Sequence, residues 1–252
     1  MIDTTAYLQR IYYGGSLEPT LSTLQTLHAA HMLSVPFENL NIHLGRPILL
    51  DETALFEKIV VQRRGGFCYE LNGLFAVLLR ALGFDVTLLS AGVARESGGF
   101  GPEFDHLALL VQIPDHAEMS LADVGFGDSF LLPLSFEEGL EQSQNSGIYR
   151  IVRDNDKWLT QQRKEQGMWE NMYRFTLQPR ELADFTDMCH FHQTSPESGF
   201  TRGRVCTLAT PGGRITLGDT EFIITRGQEK TERELNEEEY KQVLHEYFGI
   251  VL

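Results

Sequence analysis

A chain of 252 residues, 42% of them apolar, is long enough to bury one large core or two to three smaller ones, which excludes an intrinsically disordered protein. A formal net charge of −14 and a pI near 5.0 leave no basic face for neutralising phosphates in bulk, which excludes a nucleic-acid binder.

In chain order, the opening MIDTTAYLQRIYYGG lacks a basic segment followed by an apolar run. No uncharged apolar stretch reaches the roughly 20 residues of a membrane span, so a soluble cytoplasmic protein without membrane contact is expected. Leu21, Leu24 and Leu27 recur at helical spacing, and Phe67, Leu71, Leu74, Leu78 and Leu82 mark one face of a helix that Gly83 ends. Residues 1–85 are therefore predicted as helical. From 86 to 190 the pattern changes to short β-rich runs between Gly, Pro, Asn and Asp: VTLLSAGVA, HLALLVQI, LADV, IYRIV and MYRFTL, read as an antiparallel sheet or small barrel. Residues 191–252 give VCTLAT, RITLG and EFIITRG as strands. They end in a helix, ELNEEEYKQVLHEYF, whose Leu235, Val243, Leu244, Tyr247 and Phe248 face a core before Gly249. Glu237, Glu238 and Glu239 are its solvated face. The fold class is α+β, with no repeat and no Gly/Ser linker between the blocks.

Three cysteines, Cys68, Cys189 and Cys206, are too few and too scattered for a disulfide framework, which suits a reducing compartment. Cys68 follows Gly65-Gly66 at the first turn of its helix. Free amide N–H groups and the positive end of the helix dipole there favour a thiolate, and the glycines supply a turn and room for substrate. A thiolate nucleophile needs an imidazole, and the imidazole needs a carboxylate or amide to fix its tautomer. His106 opens the strand HLALLV after the loop GGFGPEFD, and Asp123 closes LADV before Gly-Phe-Gly, so two adjacent strands can bring the pair together. Taken singly, each has an ordinary fate: a buried core cysteine, a strand-edge histidine, a turn-forming aspartate. The combination raises them. Cys189, His190 and His192 lack the second pair of ligands of a zinc site, so no metal is expected and this cluster is read as packing.

The segments RGGFCYELN, DHLALLV and ADVGFG, together with VPFENLNIHLG at 35–45 and DFTDMCHFHQTSPESGFT at 184–201, resemble the arylamine N-acetyltransferase family. The resemblance implies a helical bundle (1–85), a central antiparallel β-barrel (86–190) and a C-terminal α/β lid (191–252), with a catalytic core related to papain-like and transglutaminase-like enzymes. It implies Cys68 as nucleophile, His106 as base and Asp123 as orienting carboxylate, with Arg64, Gly65 and Gly66 as the family's Arg-Gly-Gly. It further implies no permanent cofactor, acetyl-CoA as acyl donor, and a small arylamine, arylhydrazine or arylhydroxylamine as acceptor in a ping-pong reaction. Phe126 and Gly127, and more weakly Phe200, match positions near the acyl group and pantetheine arm. Phe67 before the cysteine and Tyr69 after it depart from the more usual order, and these flanking aromatics are expected to bear on the acceptor pocket. Arg202, Arg204, Arg214 and Arg226 are candidates for the CoA phosphates, with solvated strand faces the preferred reading of each alone. A cysteine peptidase or transamidase, an amide synthase with another acyl donor, and a binding module that has lost the reaction share parts of this pattern. VPFENL and ADVGFG favour the acetyltransferase over the peptidase.

Overall fold

The computed structural model describes residues 2–164 and 167–252. Each helix of the first block has a local cause. Asp3 caps α1 (Thr4–Arg10) by accepting the Ala6 N–H, and the Thr20 hydroxyl caps α2 (Leu21–Ser34) by accepting that of Thr23. A two-residue strand, β1 (Phe37–Glu38), and a short helix, α3 (Leu40–His43), follow. Next comes α4 (Glu52–Phe56), which runs on as a π-helical turn over Glu57–Val61 and leads to α5 (Cys68–Ala81). The spacing predicted one apolar face on α5. Instead every residue from Cys68 to Leu79 except Val77 is buried, because the helix is wrapped on all sides by the bundle and the barrel. Gly83, at φ 92°, turns the chain out of it.

The second block supplies eight strands: β2 (Asp85–Val93), β3 (His106–Gln112), β4 (Met119–Ala122), β5 (Leu134–Ser135), β6 (Gln142–Gln144), β7 (Gly147–Asp154), β8 (Lys157–Arg163) and β9 (Trp169–Arg180). They form one antiparallel sheet in the order β5-β4-β3-β2-β9-β8-β7-β6, rolled into a nearly closed barrel around Leu89, Leu121, Phe130, Tyr149, Tyr173 and Phe175. Glutamine side chains fasten the two edges where strand pairing stops. Gln142 accepts the Ser135 N–H (2.7 Å) and donates to its carbonyl (3.0 Å), and Gln144 accepts from the Leu131 and Leu132 amides. Carboxamides here copy the donor and acceptor of a peptide group, so the edges are paired rather than left open.

After α6 (Thr186–Thr194) the third block adds β10 (Cys206–Thr210), β11 (Gly213–Leu217), β12 (Glu221–Arg226) and β13 (Glu229–Glu234), then α7 (Glu237–Phe248). Their sheet has the order β1-β10-β11-β12-β13, so its first strand is borrowed from the helical block. Asn236 and Glu239 form a reciprocal capping box on α7, and Gly249 closes it at φ 67°. Two expectations are corrected at this end. Leu235 is buried but precedes the helix, and Tyr247 is 37% exposed, resting on the Phe222 ring at 4.7 Å rather than filling a core. Among the described residues no helix is long and apolar enough to cross a membrane.

A buried charge cluster pins the loop ahead of α5. Glu38 accepts Arg64 Nε and Nη2 on Oε1 (3.1 and 2.8 Å) and the Leu40 N–H on Oε2. Lys58 donates to Glu70 (2.7 Å), and Glu70 accepts the Phe67 N–H at the start of α5. Two cations meet two anions, all nearly free of solvent. The same loop corrects the reading of Gly65 and Gly66 as room for substrate. A Cβ on Gly65 would run into the Pro36 carbonyl oxygen, and one on Gly66 would lie 2.7 Å from the Glu70 side chain. The glycines admit protein, not ligand. Truncating Glu38 to Ala leaves Arg64 buried without its partner, so chemical denaturation is expected to find a loss of about 3–5 kcal/mol.

Candidate active site

Cys68 is the first residue of α5, His106 the first of β3, and Asp123 directly follows the last residue of β4. The pairing of β3 with β4 sets Leu109 opposite Ala122, which carries Asp123 toward the His106 end of its neighbour. His106 Nε2 lies 2.8 Å from Asp123 Oδ2, with both side chains buried. A carboxylate accepts, so Nε2 carries the proton and Nδ1 is the nitrogen left over.

Two residues that sequence reasoning did not single out hold Asp123. Asn72, one turn beyond Cys68 on α5, donates to Asp123 Oδ1 (2.8 Å) and to the Leu107 carbonyl (2.6 Å), and accepts the Val124 N–H (2.9 Å). His28 of α2 accepts the Asp123 backbone N–H on Nε2 (3.1 Å) and donates from Nδ1 to the Leu131 carbonyl (2.8 Å), which fixes its neutral tautomer. An asparagine four residues after the nucleophile, inside an apolar helix, was the available signal for the first. His28 is far from the site in sequence and left none.

Charge follows from these contacts. Burial alone would raise the Asp123 carboxyl, but His106, Asn72 and the Gly125 N–H outweigh it and hold it below the ordinary carboxylate range. Burial pushes the Cys68 thiol well up, Asp123 adds to that push, and the Leu107 backbone opposes it. At 3% exposure, desolvation opposes the acidic thiol that the helix N-terminus alone favours.

Cys68 and His106 open on a cavity of about 540 Å³ whose wall is largely aromatic, with Phe37, Phe126 and Phe200. Asp123 stays behind His106, outside the cavity. Gly127 is not part of the wall, which is formed by Gly125 at that point, and it stands against the Phe37 ring at φ 87°. Phe67 and Tyr69, expected to bear on the acceptor pocket, are fully buried and pack edge-on against each other at 5.0 Å. They reach the cavity through residues of its wall: Phe67 through Phe200 at 5.7 Å, and Tyr69 through His192 at 6.1 Å. His192, read as packing, lines the cavity instead, as does Asp105. Of the four arginines, Arg204 pairs with Asp219 and Glu237, Arg214 with Asp128, and Arg202 with the Pro196 and Glu197 carbonyls, while Arg226 is exposed.

A family model described as N-acetyltransferase matches residues 20–252. An arylamine N-acetyltransferase / N-hydroxyarylamine O-acetyltransferase of Salmonella typhimurium is 39% identical, over 88% of this chain and 78% of that protein. The pineal gland arylamine N-acetyltransferase isozyme NAT-3 of Gallus gallus is 36% identical, over all of this chain and 95% of that one. This chain belongs to the arylamine N-acetyltransferase family. A solved structure of the Mycobacterium marinum member in complex with CoA superposes with a TM-score of 0.91 at 32% identity, covering 98% of this chain and 93% of that one. Membership thus extends through all three blocks, including the shared sheet and the barrel.

The His28 geometry carries a pH dependence. Burial lowers the imidazole from its ordinary value to about 4. Between that value and 6.5 the unfolded chain binds a proton that the folded one refuses, so this contribution is full above pH 6.5 and is lost as pH falls toward 4. Thermal or urea unfolding across that window is expected to lose up to about 3 kcal/mol, with a shallower slope in His28→Gln.

Proposed function

We propose that this protein transfers an acetyl group from acetyl-CoA to the nitrogen of an arylamine, arylhydrazine or arylhydroxylamine through a thioester on Cys68, with His106 as proton carrier and Asp123 as its orienting carboxylate. The observation that carries the proposal is the meeting of Cys68 and His106 at one aromatic-walled cavity, with the far nitrogen of the imidazole committed to Asp123. Family membership and the CoA complex of the Mycobacterium marinum relative support the donor. A cytoplasmic setting, with CoA thioesters at hand, goes with this chemistry.

Because burial raises the thiol, the buried pair ionises by moving the Cys68 proton onto His106 Nδ1, which keeps the pair neutral overall and leaves no lone charge in the site. The thiolate attacks the acetyl carbonyl, the C–S bond to CoA breaks, and His106 returns the proton to the departing CoA thiolate. The Cys68 N–H, at the first position of α5 where no intrahelical acceptor exists, is a donor beside the reacting carbon. In the second half the acceptor nitrogen attacks the thioester, His106 takes its proton, and Cys68 is released. Two half-reactions sharing one imidazole give ping-pong kinetics.

Acetyl-CoA without acceptor is expected to add one acetyl group to the intact mass of the wild type, none to Cys68→Ala, and the adduct is expected to disappear on adding an arylamine. Absence of an adduct while Cys68 still alkylates would remove the acetyl-CoA reading. The role of His106 has its own measurement, the iodoacetamide alkylation rate of Cys68 against pH. In His106→Gln the thiol loses its proton acceptor, so the rate at pH 7 is expected to fall about 100-fold and to climb with pH beyond 9. An unchanged profile would show that His106 does not ionise the thiol.

A further inference from the structure

Acyl transfer uses two of the cavity's polar side chains, Cys68 and His106, and leaves the half-buried Asp105 and the buried His192 without a task. Asp105 precedes His106, and its Oδ2 accepts the Val93 N–H at 3.1 Å. Gly101 makes room for this carboxylate, since a Cβ there would collide with it. His192 comes from α6 and is 6% exposed, lying roughly parallel to the Tyr69 ring (6.1 Å, 30°) and edge-on to Phe200 (5.2 Å, 85°). The Ser198 hydroxyl accepts the Phe200 N–H at 3.2 Å and so has its proton free for His192 Nδ1, 3.1 Å away. That leaves the imidazole proton on Nε2.

Nε2 lies 3.4 Å from Asp105 Oδ1, a loose contact without good hydrogen-bond alignment, and is buried with no other partner among the described residues. Oδ1 accepts no hydrogen bond from the described residues either. Burial alone would raise the Asp105 carboxyl, yet His192, the Val93 N–H and His106 hold it low, so it is a carboxylate at neutral pH. An N–H donor and a carboxylate acceptor therefore stand 3.4 Å apart at a cavity wall that also carries the rings of Phe37, Phe126 and Phe200. Burying the His192 Nε2–H without a well-aligned acceptor is unfavourable, and a ligand group that accepts from it while donating to Asp105 Oδ1 recovers the loss.

We propose that Asp105 and His192 form a recognition station for a hydroxyl group on the ring of the acceptor, which makes aminophenols a preferred acceptor class. A ring hydroxyl donates to Asp105 Oδ1 and accepts from His192 Nε2–H, matching both atoms at once. A methyl group matches neither, and a ring carboxylate meets the Asp105 charge. Arg95, the other charged side chain of the cavity wall, is exposed and belongs to its rim. The inference rests on the acetyl-transfer reading above and adds a substrate class to it.

The experiment compares kcat/KM for 3- and 4-aminophenol with that for the matching toluidines, and 4-aminobenzoate with 4-toluidine, in the wild type, Asp105→Asn and His192→Phe. Comparing the ratios between proteins cancels the intrinsic nucleophilicity of each amine and any general effect of Asp105 on its neighbour His106. In both variants the aminophenol-to-toluidine ratio is expected to fall about tenfold for at least one ring position, through slower aminophenol turnover. In Asp105→Asn alone 4-aminobenzoate is expected to gain on 4-toluidine. Ratios that stay within twofold of the wild type overturn the proposal, as does loss of a cooperative melting transition in both variants: the pair then only fastens α6 to the loop before β3. The wild-type protein tests the underlying reading separately. Failure to acetylate any of these amines removes acetyl transfer and this proposal together, whereas transfer with unaltered ratios in the variants removes the proposal alone.

Discussion

Asp123 is a carboxylate with no exposure to solvent, and a charge in that position has to be satisfied from every direction or it unfolds its surroundings. His106 from β3, Asn72 from α5 and the Gly125 amide take its side chain, and His28 from α2 takes its backbone N–H. Two helices, a strand and a loop are thereby brought to one atom group. Asn72 also donates to Leu107 and accepts from Val124, so the helix that carries the thiol and the two strands that carry the imidazole and the carboxylate are joined by one amide. The fold of the first two blocks and the alignment of the site are the same set of hydrogen bonds.

Burial then decides how the thiol behaves. A cysteine at a helix N-terminus is acidic when water reaches it, and this one is buried at the wall of its cavity, which favours the neutral form. A nucleophile of this kind stays quiet until a neighbour takes its proton. On the proposed mechanism, reactivity is confined to the geometry in which His106 is present and oriented.

The sequence made the block order and most strands legible because apolar spacing changes from helical to alternating near residue 85 and turn residues bracket each run. It concealed β8 and β13 for opposite reasons. KWLTQQR is only partly buried and mixes its faces, and every residue of EKTERE is exposed, a charged edge strand with no apolar face to mark it. β1, β5 and β6 are two or three residues long and carry no pattern. At the site, Cys68, His106 and Asp123 were visible because each sits at an element boundary beside glycine. Asp105 and His192 were not: one reads as part of a loop and the other as one histidine of a Cys-His-Phe-His run, and only the tertiary approach of α6 to the loop before β3 puts them on one wall. Gly65 and Gly66 stood out for the right positions and the wrong reason, since sequence cannot tell space kept for a ligand from space filled by the Pro36 carbonyl.

The borrowed strand β1 has a consequence for the order of assembly. Phe37 pairs with Thr207 on one side and bridges to Gly66 on the other, and Glu38 stands opposite Cys206 while holding Arg64. The loop in front of the nucleophile is therefore clamped by a strand that finds its own partner about 170 residues further along the chain. During synthesis the helices and the barrel emerge first, but β1 lacks its strand partner until β10 has left the ribosome. The seat of Cys68 is completed last, so a truncated or still-growing chain lacks the finished site, and the appearance of a competent thiol reports that the C-terminal sheet has closed.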